Sequence, residues 1–154
     1  MRVTHKLVKA MNPCSDGWKW FIRNFSALGG SHKTVLNKLA KTDHWDWFNW
    51  LATRLMSHPQ RIEWAIFCAE QVIGIYEAKY PKDGRPRKAI AAAKVVLAND
   101  TAKNRATAYA AAAANVAAAN AADDADAANA ADAAARAKMR RICGDKAIAI
   151  LSGK

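Results

Sequence analysis

A chain of 154 residues, 52% of them apolar, is long enough for one domain with its own core. Its net charge of +11 favours anionic company: nucleic acid, nucleotides, an acidic protein face or an anionic membrane surface. Cys14, Cys68 and Cys143 are odd in number and lack metal-type pair spacing, which excludes a disulfide framework and points to reduced thiols in a cytosolic setting.

In chain order, residues 1–12 suit a short helix stopped near Pro13. Cys14–Phe25 predicts a helix capped by Ser15 or Asp16, with Trp18, Phe21, Ile22 and Phe25 at helical spacing. Gly29-Gly30 is a break, and Ser31 then caps a helix whose apolar face is Val35, Leu36 and Leu39. Thr42 and Asp43 are placed to cap a fourth helix bearing Trp47, Trp50, Leu51, Arg54 and Leu55, ended by Ser57-His58-Pro59. Pro59 suits the first turn of the next helix, Gln60–Tyr80. That helix is apolar nearly all round, which predicts a central position with Trp64, Phe67 and Ile73 in the core. Glu63, Glu70 and Glu77 recur every seven residues along it. They read as a solvated edge, or Glu70 is an internal ion-pair partner. Pro81 stops the helix, Asp83-Gly84 turns the chain, and Pro86 starts a helix with Ile90, Val95, Val96 and Leu97. Asn99-Asp100 ends it, with Asp100 as the next cap.

No stretch alternates apolar and polar residues, so no sheet is expected. All six Trp and all four Phe precede residue 68, and the second half is dominated by Ala. Thr101–Cys143 contains neither Gly nor Pro. As one helix it would be roughly 65 Å long at about 1.5 Å per residue. A domain of this size has a radius of gyration of only about 15 Å. Asn120, Asp123, Asp126, Asn129 and Asp132 recur every three residues, so no single helix face stays dry. These facts predict a break near Asn120–Asp126 and an Ala-faced antiparallel helix pair, with Asp132 and Arg136 paired at i,i+4. Gly144 and Asp145 would then set off a last short helix bearing Ile148, Ile150 and Leu151. The acids also rule out the Ala tract as a membrane span. Met1–Met11 shows no continuous apolar run of a signal peptide. The expectation is an all-α, compact helical bundle with an Ala-rich antiparallel pair in the C-terminal half. It forms a single domain, residues 1–154, made of Trp-rich amino-terminal helices (1–58) and a central helix plus Ala-rich helices (59–154).

Trp64–Leu97, "WAIFCAEQVIGIYEAKYPKDGRPRKAIAAAKVVL", resembles a bacterial immunity-protein family found beside polymorphic toxins. Its marks are a Trp–Cys–Ala–Glu helix, a Tyr–Pro–Asp–Arg–Pro–Arg–Lys turn and Ala-rich helices after it. The resemblance covers residues 60–150 or so. "CSDGWKWFIRNF" and "HWDWFNWLATRL" resemble the amino-terminal module of phage and prophage proteins. Together these likenesses imply a phage or mobile-element protein of the immunity or counter-defence kind, acting in the host bacterial cytoplasm on a toxin or defence protein. They carry over no catalytic residues. The His residues often scattered through the family's Ala-rich helices are missing here.

His5, His32, His44 and His58 are dispersed and imply no nucleophile–base pair, so no enzyme, metal or cofactor is expected. The best candidate site is the basic turn. Lys79, Lys82, Arg85, Arg87 and Lys88 cluster at a helix N-terminus, where backbone N–H groups and Arg forks suit an anion or acidic partner. Alternatively, Arg85 or Arg87 folds back onto Glu70 or Glu77. Trp45, Trp47 and Trp50 are candidate aromatic contacts. Residues 31–56 have helix–turn–helix proportions, but Asp46 stands where a reading helix wants a base-contacting donor. The leading expectation is an inhibitor that binds a protein. The alternatives are a sponge for an anionic nucleotide signal and a non-specific nucleic-acid binder. Oligomeric state stays open.

Overall fold

The computed structural model describes residues 1–111 and 131–153, with side chains of the second stretch described from 137 onward. The described residues are all-α apart from one minimal strand pair. In order they form β1 (Arg2–Val3), α1 (His5–Ala10), α2 (Ser15–Asn24), β2 (Gly30–Ser31), α3 (His32–Lys41), α4 (Trp45–Leu55), α5 (His58–Lys79), α6 (Arg85–Ala98), α7 (helical over 102–111) and α8 (Ala131–Leu151). The chain divides into two compact units, Met1–Ser57 with Arg140–Lys154, and His58–Met139. The last residues thus belong with the amino-terminal helices, not with the Ala-rich part where the sequence reading grouped them.

In the first unit, local polar groups start each early helix. Thr4 Oγ1 accepts from Leu7 N at 3.2 Å to begin α1. Asn12, at φ 56°, turns the chain toward α2. The cap of α2 is Cys14, not Ser15 or Asp16: Cys14 is extended and its Sγ accepts from Gly17 N at 3.4 Å, while Ser15 is already helical. Ser31 caps α3 as expected, accepting from Thr34 N at 3.0 Å. Thr42 and Asp43 do not cap α4. Thr42 Oγ1 instead donates back to Lys38 O at 2.9 Å, Asp43 takes φ 58°, and α4 starts after His44 without a side-chain cap.

The strand pair corrects the expectation of no sheet. Arg2 pairs with Ser31 and Val3 with Gly30, antiparallel. Two residues are too few to show a period of two. Gly29 makes the pairing achievable: it sits at φ 64°, and a Cβ there would overlap the Val3 carbonyl. Phe48, Leu36, Val3 and Val35 are the largest fully buried side chains, so the deepest core lies in this unit. Ala147, Ile148 and Ile150 of α8 are also buried. Helix α8 runs through Gly144-Asp145 without interruption, contrary to the break read there. Gly144 is a contact point: a Cβ on it would lie 3.0 Å from the Trp45 ring and 3.4 Å from that of Phe48. His32 joins the two ends of the unit, with Nδ1 3.3 Å from Met1 O and Nε2 3.1 Å from Ser152 Oγ.

In the second unit, α5 and α6 form a hairpin. Glu77 pairs with Arg87 and, further from the turn, Glu70 with Lys94, which is the order of an antiparallel pair. The expectation that α5 fills the core is not met. Of its residues only Ile66 is buried; Trp64, Phe67 and Ile73 are half-buried, and Val72 and Ile75 are exposed. An apolar surface all round needs neighbours all round, and among the described residues of its unit α5 packs chiefly on α6. Asp100 is not the cap of α7. Thr101 Oγ1 accepts from Asn104 N at 3.2 Å, while Asp100 pairs with Arg105 at 2.7 Å. The expected break near Asn120–Asp126, the antiparallel Ala-rich pair and the Asp132–Arg136 pairing lie outside the described residues and side chains.

Candidate functional site

The basic turn is built around one carboxylate. Tyr80 N closes the last turn of α5 on Tyr76 O at 2.8 Å, and Asp83 N donates to Tyr80 O at 3.0 Å. Asp83 then accepts four donors. Arg85 N and Nε reach its Oδ1 at 3.0 and 2.8 Å. Arg85 Nη2 and the Tyr76 hydroxyl each reach Oδ2 at 2.7 Å. Gly84 precedes α6 and offers no side-chain cap, so Asp83 supplies the acceptor from one residue earlier. Pro86 lies in the first turn, where its missing N–H costs little. The Arg85 guanidinium, then the Tyr76 hydroxyl, hold the Asp83 carboxyl well below the usual range. The same hydrogen bond pushes the Tyr76 hydroxyl up, because ionising it would set two anions together.

The second arginine is committed too. Arg87 sets both prongs of its fork on Glu77, Nε to Oε1 and Nη2 to Oε2, each at 2.6 Å. That pairing lowers the Glu77 carboxyl and raises the Arg87 guanidinium. Glu70 takes Lys94 instead, at 2.6 Å, with its side chain 41% exposed, so this pair sits at the surface and not inside.

Both Arg forks of the turn are therefore occupied by the chain's own carboxylates. Lys82 and Lys88 are exposed and engage no carboxylate among the described residues. Lys79 lies over the Tyr80 ring, 5.5 Å from its centroid. These three ammonium groups border a wide, shallow depression of about 620 Å³ around Pro81. The chemistry on offer is fixed positive charge on a rigid turn. It lacks an enclosed pocket and a free guanidinium fork, the features that hold a single phosphate tightly.

The tryptophans separate into two roles. Trp45 packs on Phe48, with ring centroids 5.3 Å apart, and against Gly144. Trp47 stacks on His44 at 4.2 Å and approaches Trp20 at 6.0 Å. Trp50 carries the Arg54 guanidinium 4.3 Å above its ring. Trp47 and Trp50 also border a cavity in the first unit. Asp83 was read in the sequence only as a turn residue, and neither it nor Tyr76 as part of the site, although an Asp two residues before Arg-Pro at a helix start is a legible Asx-turn signal.

Cys14, Cys68 and Cys143 form no disulfide among the described residues. Among the described residues no cluster of His, Cys, Asp or Glu could hold a metal ion, and no helix is long and apolar enough to cross a membrane. Two family models match the chain. The model described as "Imm-5 like putative immunity protein" covers residues 51–139, more than half of it, and the YdhT N-terminal domain model covers residues 1–71. No curated protein and no solved structure matches it.

Proposed function

Because this chain belongs to the Imm-5 like immunity-protein family, we infer that it is an immunity protein of a phage or other mobile element, acting by binding a protein and without catalysis of its own. Its target is a bacterial toxin or defence protein. The observation that carries this is the family match itself, which spans the α5–α6 hairpin and its basic turn.

The chemistry of the turn supports a finer reading, in which Lys79, Lys82 and Lys88 dock an acidic face of that target. Point charges on long stems suit a surface of scattered carboxylates. A nucleotide sponge would want the Arg forks, and Arg85 and Arg87 already hold Asp83 and Glu77. Non-specific nucleic-acid binding would rest on net charge alone.

The test is co-expression with the toxin or defence effector carried on the same mobile element. The intact chain should protect the cell. The double substitution Lys82→Gln, Lys88→Gln should weaken protection and binding, with the melting temperature unchanged because neither lysine has an ion-pair partner among the described residues. Full protection by that variant would remove the lysines from the interface. Binding of RNA or DNA that falls by orders of magnitude between low and moderate salt would favour the nucleic-acid reading.

A further inference from the structure

The first unit contains a cavity that the basic turn does not use. It lies between α2 and α4, has a volume of about 220 Å³, and is walled by Trp20, Trp47 and Trp50, with Cys14 and Gly17 at the start of α2 and Asp46 at the start of α4. We propose that this cavity seats one basic side chain, Arg or Lys, of the protein partner; the identity of the occupant as a partner's residue rests on the protein-binding reading above.

Size comes first. Pockets for small-molecule ligands run from about 300 to 1,000 Å³, so this one fits a single long side chain better than a cofactor. Gly17 keeps the wall open: a Cβ there would sit 3.2 Å from Cys14 Sγ and 3.6 Å from Trp47 Nε1. Charge comes second. Indole faces attract cations, and this cluster already holds one, since the Arg54 guanidinium stands 4.3 Å from the Trp50 ring. Asp46 is exposed and has no cation within ion-pair distance among the described residues. It is also out of keeping with its surroundings. Residues 1–57 carry nine Lys and Arg but only three acids, Asp16, Asp43 and Asp46. Of these three, Asp46 alone lines the cavity, and Asp16, at the start of α2, already pairs with Lys19 at 3.9 Å. A Leu or Phe would satisfy the indoles but bury the Asp46 charge unpaired. A basic side chain lays an apolar stem along the tryptophans and brings its own counter-charge to the carboxylate.

The experiment uses the full chain and three small probes, N-acetyl-argininamide, N-acetyl-lysinamide and the uncharged N-acetyl-norleucinamide, followed by ¹H–¹⁵N NMR. The basic probes should shift the indole Nε1–H signals of Trp47 and Trp50 and the amides of Gly17 and Asp46. They should bind roughly three- to tenfold more tightly than norleucinamide. Asp46→Asn should erase that preference without changing the melting curve. Trp50→Leu, which keeps an apolar wall and removes the π face, should do the same if the asparagine variant folds poorly. Norleucinamide binding as well as the basic probes, an unchanged preference in both variants, or no shift at these signals would each overturn the proposal. Such a failure leaves the co-expression result standing, and a chain that protects nothing yet binds arginine here would fail only the functional reading.

Discussion

Two mid-helix glycines distinguish the two units. Gly144, in α8, is buried, and a Cβ there would press on the rings of Trp45 and Phe48. Gly74, in α5, is exposed and has nothing within 4 Å of that position. The same residue type is a packing requirement in one unit and an open site in the other. The contrast extends to whole surfaces. The first unit buries Phe48, Leu36, Val35 and Val3 completely. The α5–α6 hairpin buries only Ile66 and Val96, leaves Val72, Ile75, Val95 and Leu97 exposed, and is laced by carboxylate pairs at its rim. Apolar packing dominates the first; carboxylate pairs and exposed apolar side chains mark the second.

The largest effect should come from the deep core. Phe48→Ala should cost about 3–5 kcal/mol in denaturant titration, since the ring is fully buried among other rings. Ile75→Ala, at 65% exposure, should stay within about 0.5 kcal/mol. Equal losses at the two sites would erase the contrast between the units.

The glycines should respond with opposite signs. Gly74→Ala should stabilise by about 0.5–1 kcal/mol, because alanine restricts the unfolded chain and meets no neighbour. Gly144→Ala has the same propensity gain of about 1 kcal/mol. It also forces a methyl against Trp45 at 3.0 Å, an overpacking cost of about 1–3 kcal/mol. The net should be a loss. If both variants gain stability, Trp45 yields freely and the first unit is looser than its contacts imply.

These sites also show where sequence reasoning reached and where it stopped. Ser31, Pro59 and the Pro81–Pro86 turn were legible because caps and proline act on residues next to them. Gly144 was misread as a break because glycine after a helical run usually ends it; the ring that explains it, Trp45, stands about a hundred positions earlier. Cys14 replaced the oxygen caps beside it because backbone conformation, not residue preference, decides which position precedes the first turn. Helix α5 read as central because periodicity reports how much apolar surface a helix has, not how much its neighbours cover. For the basic turn, the cluster of cations was plain in the sequence. Of their commitments, Arg87 on Glu77 was among the alternatives the sequence offered, whereas Arg85 on Asp83, only two residues back, was not.

Those commitments yield the smallest effect, and the one that tests charge against packing most directly. Asp83 and Glu77 have carboxyls held below their ordinary range by Arg85 and Arg87, so the folded hairpin favours their ionised forms. A depressed carboxyl contributes stability that is present above the unfolded value, about 4, and is lost as pH falls through the folded value. Tyr76 has the opposite sign: its raised hydroxyl contributes below about 10 and loses that contribution in more alkaline solution. Stability arising from the turn should therefore be level between these limits and decline on either side. The double substitution Arg85→Gln, Arg87→Gln should lower the melting temperature slightly at pH 6, because exposed pairs contribute little one at a time. The gap from the wild type should narrow as both proteins are taken below about pH 4, where the unfolded carboxyls protonate, and should close only once pH has fallen through the depressed folded values of Glu77 and Asp83. The gap opened by Phe48→Ala involves no titrating group and should persist over the same range. Circular dichroism melts of the three proteins at pH 6 and pH 2.5 read this out. A gap for the arginine variant that does not change with pH would mean that Arg85 and Arg87 act through their aliphatic stems, and that the second unit, like the first, is held by packing.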